Sequence, residues 1–343
     1  MGGYVTEWTV AIGVDTRKHW HVAVALDPLG RLIDSITVDA TSAGYQQCLR
    51  WARSLGEPAF AIEGCGSYGA GLAGFLADHR ERVFECERPR RGERRGGKND
   101  LVDATLAARR IIGGEGLSAP RGGGQREQLR VLLLERRGAI RARTAALNQL
   151  DAVIVTLPDD LRSRLARIPK RHLVGRVARL RCRRDGTTDP LRRIARRIQL
   201  LSQELGEIDE ELARRVAVIA PGLLCETGVG PVCAAQLLVS SGDPRRMASE
   251  ASFAALAGTS PLDASSGKQQ RHRLNRGGDR QLNWALHVIA LQRVHHHSET
   301  ASYYRRLLDN GKTPKEAKRC VKRALARHFY NRLKELQPQT LTT

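Results

Sequence analysis

Short apolar runs alternate with longer, helically periodic stretches over the first part of the chain. "EWTVAIGVDTRK" reads as a buried strand that ends in Asp15. "HWHVAVALDPLGRLIDSITVD" holds apolar runs on either side of a turn at Asp27–Gly30, the pattern of a hairpin. "SAGYQQCLRWARSLG" has a helical period, and "PAFAIEGCGSYGAGLAGFLADHR" gives a strand to Glu63, a glycine-rich turn and a helix. "RVFECE" is a further strand and "NDLVDATLAARRII" a further helix. Strands alternating with helices to about residue 120 predict a layered α/β domain. "GGEGLSAPRGGG", residues 113–124, breaks every period and predicts a linker.

Helical texture then takes over. "QREQLRVLLLERRGAIRARTAALNQLDAVIV" predicts one long basic helix. A second begins near Leu191 and carries Leu191, Ile194, Ile198, Leu201, Leu205, Ile208 and Leu212 at alternating steps of three and four, a coiled-coil seam. The stretch between them is arginine-rich and irregular, so the pair predicts an antiparallel hairpin, a dimerisation arm or ordinary bundle helices. From Ala220, "APGLLCETGVGPVCAAQLLVSSGDP" sets Gly228 and Gly230 in a tight turn before a short amphipathic helix. That arrangement is like a helix-hairpin-helix, whose turn amides and helix N-terminus can hold a phosphate. The remainder is helical and basic around a polar loop. The predicted division is 1–120, 121–218 and 219–343.

Charge narrows the class of partner. The 343 residues carry a formal net charge of +21, while a 41% apolar fraction supplies real cores. Such a surplus favours phosphate backbones and steeply salt-dependent binding, although an anionic membrane surface would also attract it. No apolar run is long enough to span a bilayer and none of signal-peptide type lies near Met1. Seven cysteines without a CxxC pair predict reduced, mostly buried thiols in a cytoplasmic protein and no disulfide framework or zinc site. "GGGQ" has no strand before it and no Lys-Ser/Thr after it, which excludes a P-loop. The His295–His297 triplet points in different directions on a helix and makes a poor metal site.

Four carboxylates supply candidate chemistry. Asp15 and Glu63 end apolar strands, where a buried charge is costly without a partner. Asp100 and Asp103, spaced to share a helix face at roughly 5–6 Å between Cβ atoms, follow the basic run "RPRRGERRGGK". Either arginines neutralise this pair or a metal ion does. Taken singly, each acid has a structural explanation as a strand cap, a surface residue, an N-cap or a first-turn acid. Together they form an oxygen donor set suited to hard divalent cations, Mg²⁺ or Mn²⁺. Two such ions about 3.5–4 Å apart can hold a scissile phosphate. Lys98 could contact the same phosphate.

The order of the acids resembles RuvC-like nucleases of the ribonuclease H fold. More closely, "IGVDTRK", "IEGCGSYG" and "KNDLVDA" look like the DEDD transposases of the insertion sequence 110 family. "GVGPVCAAQLL", "FAALAGTSP", "SSGK" and "RGGDRQLNWAL" resemble that family's second conserved domain. The likeness runs in order through nearly the whole chain; the middle helices match only in character, and Asn283-Trp284 stands where basic residues are expected in many relatives. It implies a multidomain fold: an α/β ribonuclease H-like N-terminal domain, a helical coiled-coil middle and a mostly α C-terminal domain. It further implies a transposase that excises and inserts a mobile element, acting as a dimer or tetramer near the nucleoid. The expected partners are donor and target DNA and a structured non-coding RNA, the bridge RNA, that pairs with both. The acids of one subunit would meet the C-terminal domain of another, and a serine of that domain would become joined to DNA.

Aligned on "AGTSPLDASSG", that serine is Ser266, with Ser265 as the alternative. Lys268, Arg271, Arg273, Arg276 and Arg280 lie nearby in sequence and would neutralise a phosphoryl transition state. A rival enzyme is a metal-dependent junction resolvase or nuclease, which hydrolyses DNA and needs the four acids but not Ser266. A sugar-kinase-like ATPase would need a second Asp-x-Gly phosphate motif, and no strand supplies one. A purely architectural nucleic-acid binder has no use for clustered carboxylates.

Overall fold

The computed structural model describes residues 8–86, 99–114, 116–120, 124–181, 186, 188–242, 247, 249–263, 272–273 and 277–336. They divide into two compact units, one formed mainly by residues up to Gly123 and the other mainly by Gly124–Ser241 and Met247–Leu341.

The first unit contains β1 (Val10–Thr16), β2 (Trp20–Leu26), β3 (Leu32–Asp39), α1 (Ser42–Leu55), β4 (Pro58–Glu63), α2 (Ala70–Asp78), β5 (Arg82–Cys86), α3 (Asp100–Gly113) and β6 (Leu117–Ser118). The sheet order is β3-β2-β1-β4-β5-β6. Strands β1, β4 and β5 run parallel, while β2, β3 and β6 are antiparallel to their neighbours. This mixed order is consistent with a ribonuclease H-like fold. The expected turn joins β2 to β3, and Asp27 closes it by accepting from the amides of Leu29 and Arg31. The expected linker is in part a strand: Leu117 and Ser118 pair with Cys86 and Glu85 on the sheet edge. Two residues are too few to display a period.

The faces of this sheet differ in side-chain size. Val10, Ile12, Val14, Phe60 and Ile62 pack with Cys48, Leu49 and Ala52 of α1 and Leu72 and Leu76 of α2. The opposite face presents Ala11, Ala59 and Ala61 to Ala104, Ala107, Ala108 and Ile111 of α3. A Cβ placed on Gly13 would lie 1.9 Å from the carbonyl oxygen of Ala104. Only glycine lets α3 come that close to β1.

The second unit holds α4 (Gly124–Val155), α5 (Asp159–Ala166), α6 (Lys170–Ala178), α7 (Thr188–Ile219), α8 (Pro221–Leu224), α9 (Pro231–Ser241), α10 (Glu250–Leu256), β7 (Leu262–Asp263), β8 (His272–Arg273), α11 (Arg280–His296), α12 (Ser298–Asp309) and α13 (Pro314–Glu335). Helices α4 and α7 form an antiparallel hairpin. Arg136 pairs with Asp209 at 2.5 Å, Arg215 bonds Gln128, and Ala146 and Leu150 share a core with Leu191, Ile194 and Ile198. Leu191, Ile194, Ile198, Leu205, Ile208 and Leu212 are buried and Leu201 is half-buried, so the predicted seam is used within the chain. Within the joining stretch, residues 159–166 and 170–178 are helical where an irregular run was expected, because Leu161, Leu165, Val177 and Ala178 anchor α5 and α6 among the arginines.

Helix α9 is also a correction. Instead of being amphipathic it is buried from Cys233 to Ser241, at the centre of the larger core. Leu129 and Leu133 of α4, Leu212 and Val216 of α7, Leu286 and Ile289 of α11 and Leu325 and Phe329 of α13 belong to that core. The helix before the Gly228 turn is a single short turn, Pro221–Leu224. No described helix is long and apolar enough to cross a membrane.

Candidate active site

Strand register brings the first two acids together. Val14 pairs with Ile62 across parallel β1 and β4, so Asp15 and Glu63 come next on neighbouring strands. By alternation they follow Gly13 and Ala61 onto the face covered by α3. Asn99 caps α3, its side chain accepting from the amide of Leu101 at 3.0 Å, which puts Asp100 and Asp103 in the first turn. The helix N-terminus favours negative charge there. Asp15, Glu63 and Asp103 are 5%, 8% and 4% exposed, three carboxylates withdrawn from water on one side of the sheet. Asp100 is more open, with its side chain 33% exposed.

The electrostatics report the crowding. The Asp15 carboxyl is pushed up to about 6, chiefly by burial. Arg17 pulls it down, while the charges of Glu63, Asp100 and Asp103 push it further up. Arg17 Nη2 donates to Asp100 Oδ1 at 2.5 Å, and Arg17 Nε lies 3.3 Å from Asp15 Oδ2 as an ion pair. An arginine therefore does neutralise the acids in part, but it comes from the end of β1. Thr16 also ties the strand ends, its hydroxyl donating to the carbonyl of Glu63 at 2.8 Å. Sequence reading missed both residues; their one signal was position, directly after a strand-end aspartate.

Among the described residues no group of three histidines, cysteines or carboxylates is arranged to hold a metal ion as it stands. The donor chemistry nevertheless fits a hard divalent cation. All the donors are oxygens, and Asp15 Oδ2 is buried without a hydrogen bond. At Asp15, burial and the charges of Glu63, Asp100 and Asp103 together outweigh the pull of Arg17.

Lys98, Ser265, Ser266, Lys268, Arg271 and Arg276 lie outside the described residues. The two short strands that flank the serine loop in sequence pair antiparallel, Leu262 with Arg273 and Asp263 with His272. Arg280 opens α11 and is exposed. The start of that helix is firmly held. Asp279 accepts from the amides of Gln281 and Leu282, and its other oxygen accepts from Ser240 at 2.6 Å. Gly278, at φ +92°, passes so close to α10 that a Cβ would lie 2.5 Å from the Leu256 carbonyl oxygen. Asn283 is engaged internally, donating to Ala257 O at 2.7 Å and accepting from Lys322 Nζ at 2.6 Å, while Trp284 is exposed.

At the other predicted phosphate contact, Gly228 has φ +79° and packs on α11, whereas Gly230 is open. The turn is clamped by Arg293, which donates to Thr227 O and pairs with Glu226 at 2.6 Å. Burial pushes the Glu226 carboxyl up, but bonds from His328 and Arg293 outweigh it and hold the group below its ordinary value.

Two family models match the chain. A DEDD transposase model of the IS110 group matches residues 12–157, which include Asp15, Glu63, Asp100 and Asp103. A second, described as Transposase IS116/IS110/IS902 family, matches residues 223–305, which include the Gly228 turn and Ser266. No characterised protein matches the chain significantly.

Proposed function

The chain belongs to the IS110 family of transposases, and from that premise we propose that it cleaves and rejoins DNA through two sets of residues that meet on assembly. The enzyme is a DNA transposase, and DNA is its substrate. Asp15, Glu63, Asp100 and Asp103 hold Mg²⁺ or Mn²⁺, which when bound withdraws charge from the scissile phosphate. Ser266 is the nucleophile: its oxygen forms the bond to phosphorus as the bond to the departing DNA oxygen breaks. Lys98, Lys268, Arg271, Arg273, Arg276 and Arg280 offset the negative charge that develops there. The Gly228–Gly230 turn steadies a neighbouring phosphate.

The parts divide as 1–120 for the acidic site, 121–218 for a coiled-coil arm and 219–343 for the serine domain. The active form is a homodimer or homotetramer, associated with the nucleoid in the cytoplasm, and a structured bridge RNA guides it to donor and target DNA. The observation that carries the reading is the burial of Asp15, Glu63 and Asp103 with the Asp15 carboxyl raised, a charge arrangement that calls for a cation. The match over residues 223–305 favours transposition over the hydrolytic resolvase, which has no use for that segment.

Denatured reaction mixtures test the assignment. A protein–DNA adduct is expected from the unsubstituted protein and not from Ser266→Ala. Asp103→Asn should abolish both adduct and recombination while nucleic-acid binding stays within about twofold. An unchanged adduct in Ser266→Ala would move the role to Ser265 or elsewhere. No adduct from a recombining preparation would restore the resolvase reading.

A further inference from the structure

The α4–α7 hairpin turns through a cavity that the transposition chemistry does not use. Arg167, Arg171, His172, Gly175, Arg176 and Arg179 line a space of about 480 Å³, and no carboxylate lines it. Helix α6 explains the arrangement. Val177 and Ala178 are buried and Leu173 and Val174 half-buried against Leu161, Leu165, Leu191 and Ile194. The other face repeats His172, Gly175, Arg176 and Arg179 at helical spacing, and Arg167 joins it from the end of α5.

Gly175 leaves a gap in this basic face. A Cβ there would lie 3.6 Å from Arg179 Nη2, and Arg179 Nε donates to the Gly175 carbonyl oxygen at 3.1 Å. The guanidinium thus lies along the helix beside the gap. Among the described residues none of the four arginines is paired with a carboxylate. Like charges gathered on a cavity repel one another, and an anion relieves that repulsion. Guanidinium groups, planar and forked, match phosphate oxygens two at a time and also stack on bases.

We propose that this cavity binds one unpaired nucleotide of a structured RNA, with arginines on the phosphates that flank it. The inference rests on RNA being a partner of the protein. The arginine-lined space, about 480 Å³, suits a single nucleotide better than a duplex: loops and bulges of RNA splay single nucleotides outward, whereas a base pair in a DNA duplex stays stacked. Exposed guanidinium on an otherwise apolar-anchored helix supplies both the charge and the stacking surface.

Two full-length variants test it by fluorescence anisotropy, against a labelled RNA stem-loop and a blunt DNA duplex of equal length. Arg171→Ala with Arg176→Ala removes charge, and Gly175→Leu fills the gap without changing charge. All three residues lie outside the buried core, and leucine favours a helix more than glycine does, so neither variant should unfold below the wild-type temperature. Each is expected to weaken stem-loop binding about tenfold and duplex binding less than twofold. The double variant should also lower the salt slope for the RNA by about 1.4, at roughly 0.7 per lost single-strand contact. An unchanged stem-loop Kd in either variant overturns the nucleotide pocket. Equal losses on RNA and duplex also overturn it, in favour of a general charged face. Should the unsubstituted protein bind no RNA at all, the guide-RNA reading fails and this site falls with it.

Discussion

Arg17 bridges Asp15 and Asp100 across the ends of β1 and α3, so under the proposed metal site it would compete with the cation for the same carboxylates. Arg17→Gln should therefore lower the melting temperature in chelator, by removing a guanidinium that offsets Asp15 and Asp100, and enlarge the rise in melting temperature on adding Mn²⁺. Equal metal-induced rises in variant and wild type would show that arginine and metal do not compete. The raised Asp15 carboxyl makes a second prediction with a definite sign. Its value is about 6 in the fold against an ordinary 3.8, so the folded chain holds this proton more tightly than the unfolded one. Between those values stability falls as pH rises, and the loss is complete above pH ~6, with a ceiling of about 3 kcal/mol. Metal-free protein should then lose stability from pH 4 to pH 6 by a margin that Asp15→Asn abolishes, measured by urea unfolding. Added Mg²⁺ should help most on the alkaline side, where the proton no longer competes.

Helix α3 comes close to the ends of β1 and β4 because the residues of those two strands beneath it are glycine and alanine: Ala11, Gly13, Ala59 and Ala61. Gly13→Ala would drive a methyl group into the Ala104 backbone, which cannot yield as a flexible side chain would. It should cost about 1–3 kcal/mol or more by urea denaturation, and should weaken Mn²⁺ binding as α3 lifts Asp100 and Asp103 away from the strand ends. Much of this unit is legible in the chain. Continuous apolar runs mark β1 and β4, and each candidate acid stands where such a run stops or a helix starts. Other elements leave no such mark. Strand β6 has two residues, and α5 and α6 hide small apolar anchors among arginines. The burial of α9 is set by partners that come from both sides of it in sequence. Arg17 meets Asp100 across 83 positions, a contact that local spacing cannot encode.

Over the whole molecule the charge of +21 sets the binding physics. Where lysines and arginines contact duplex phosphates, log affinity should fall with log salt by about 0.9 per phosphate neutralised. A steep slope with the structured RNA and a shallow one with random duplex is expected if RNA is the primary partner; equal slopes and affinities would count against it. The long hairpin has a further consequence, during synthesis. Every described element of the first unit lies before residue 119, so that sheet has all its strands early. Helix α4 must wait: Arg126 donates to the carbonyl of Val239, 113 positions later. At roughly 5–20 residues per second, that interval lasts on the order of ten seconds. Through it the nascent chain carries a finished sheet followed in sequence by a helix whose apolar stripe still faces water, and a chaperone has its best opportunity there.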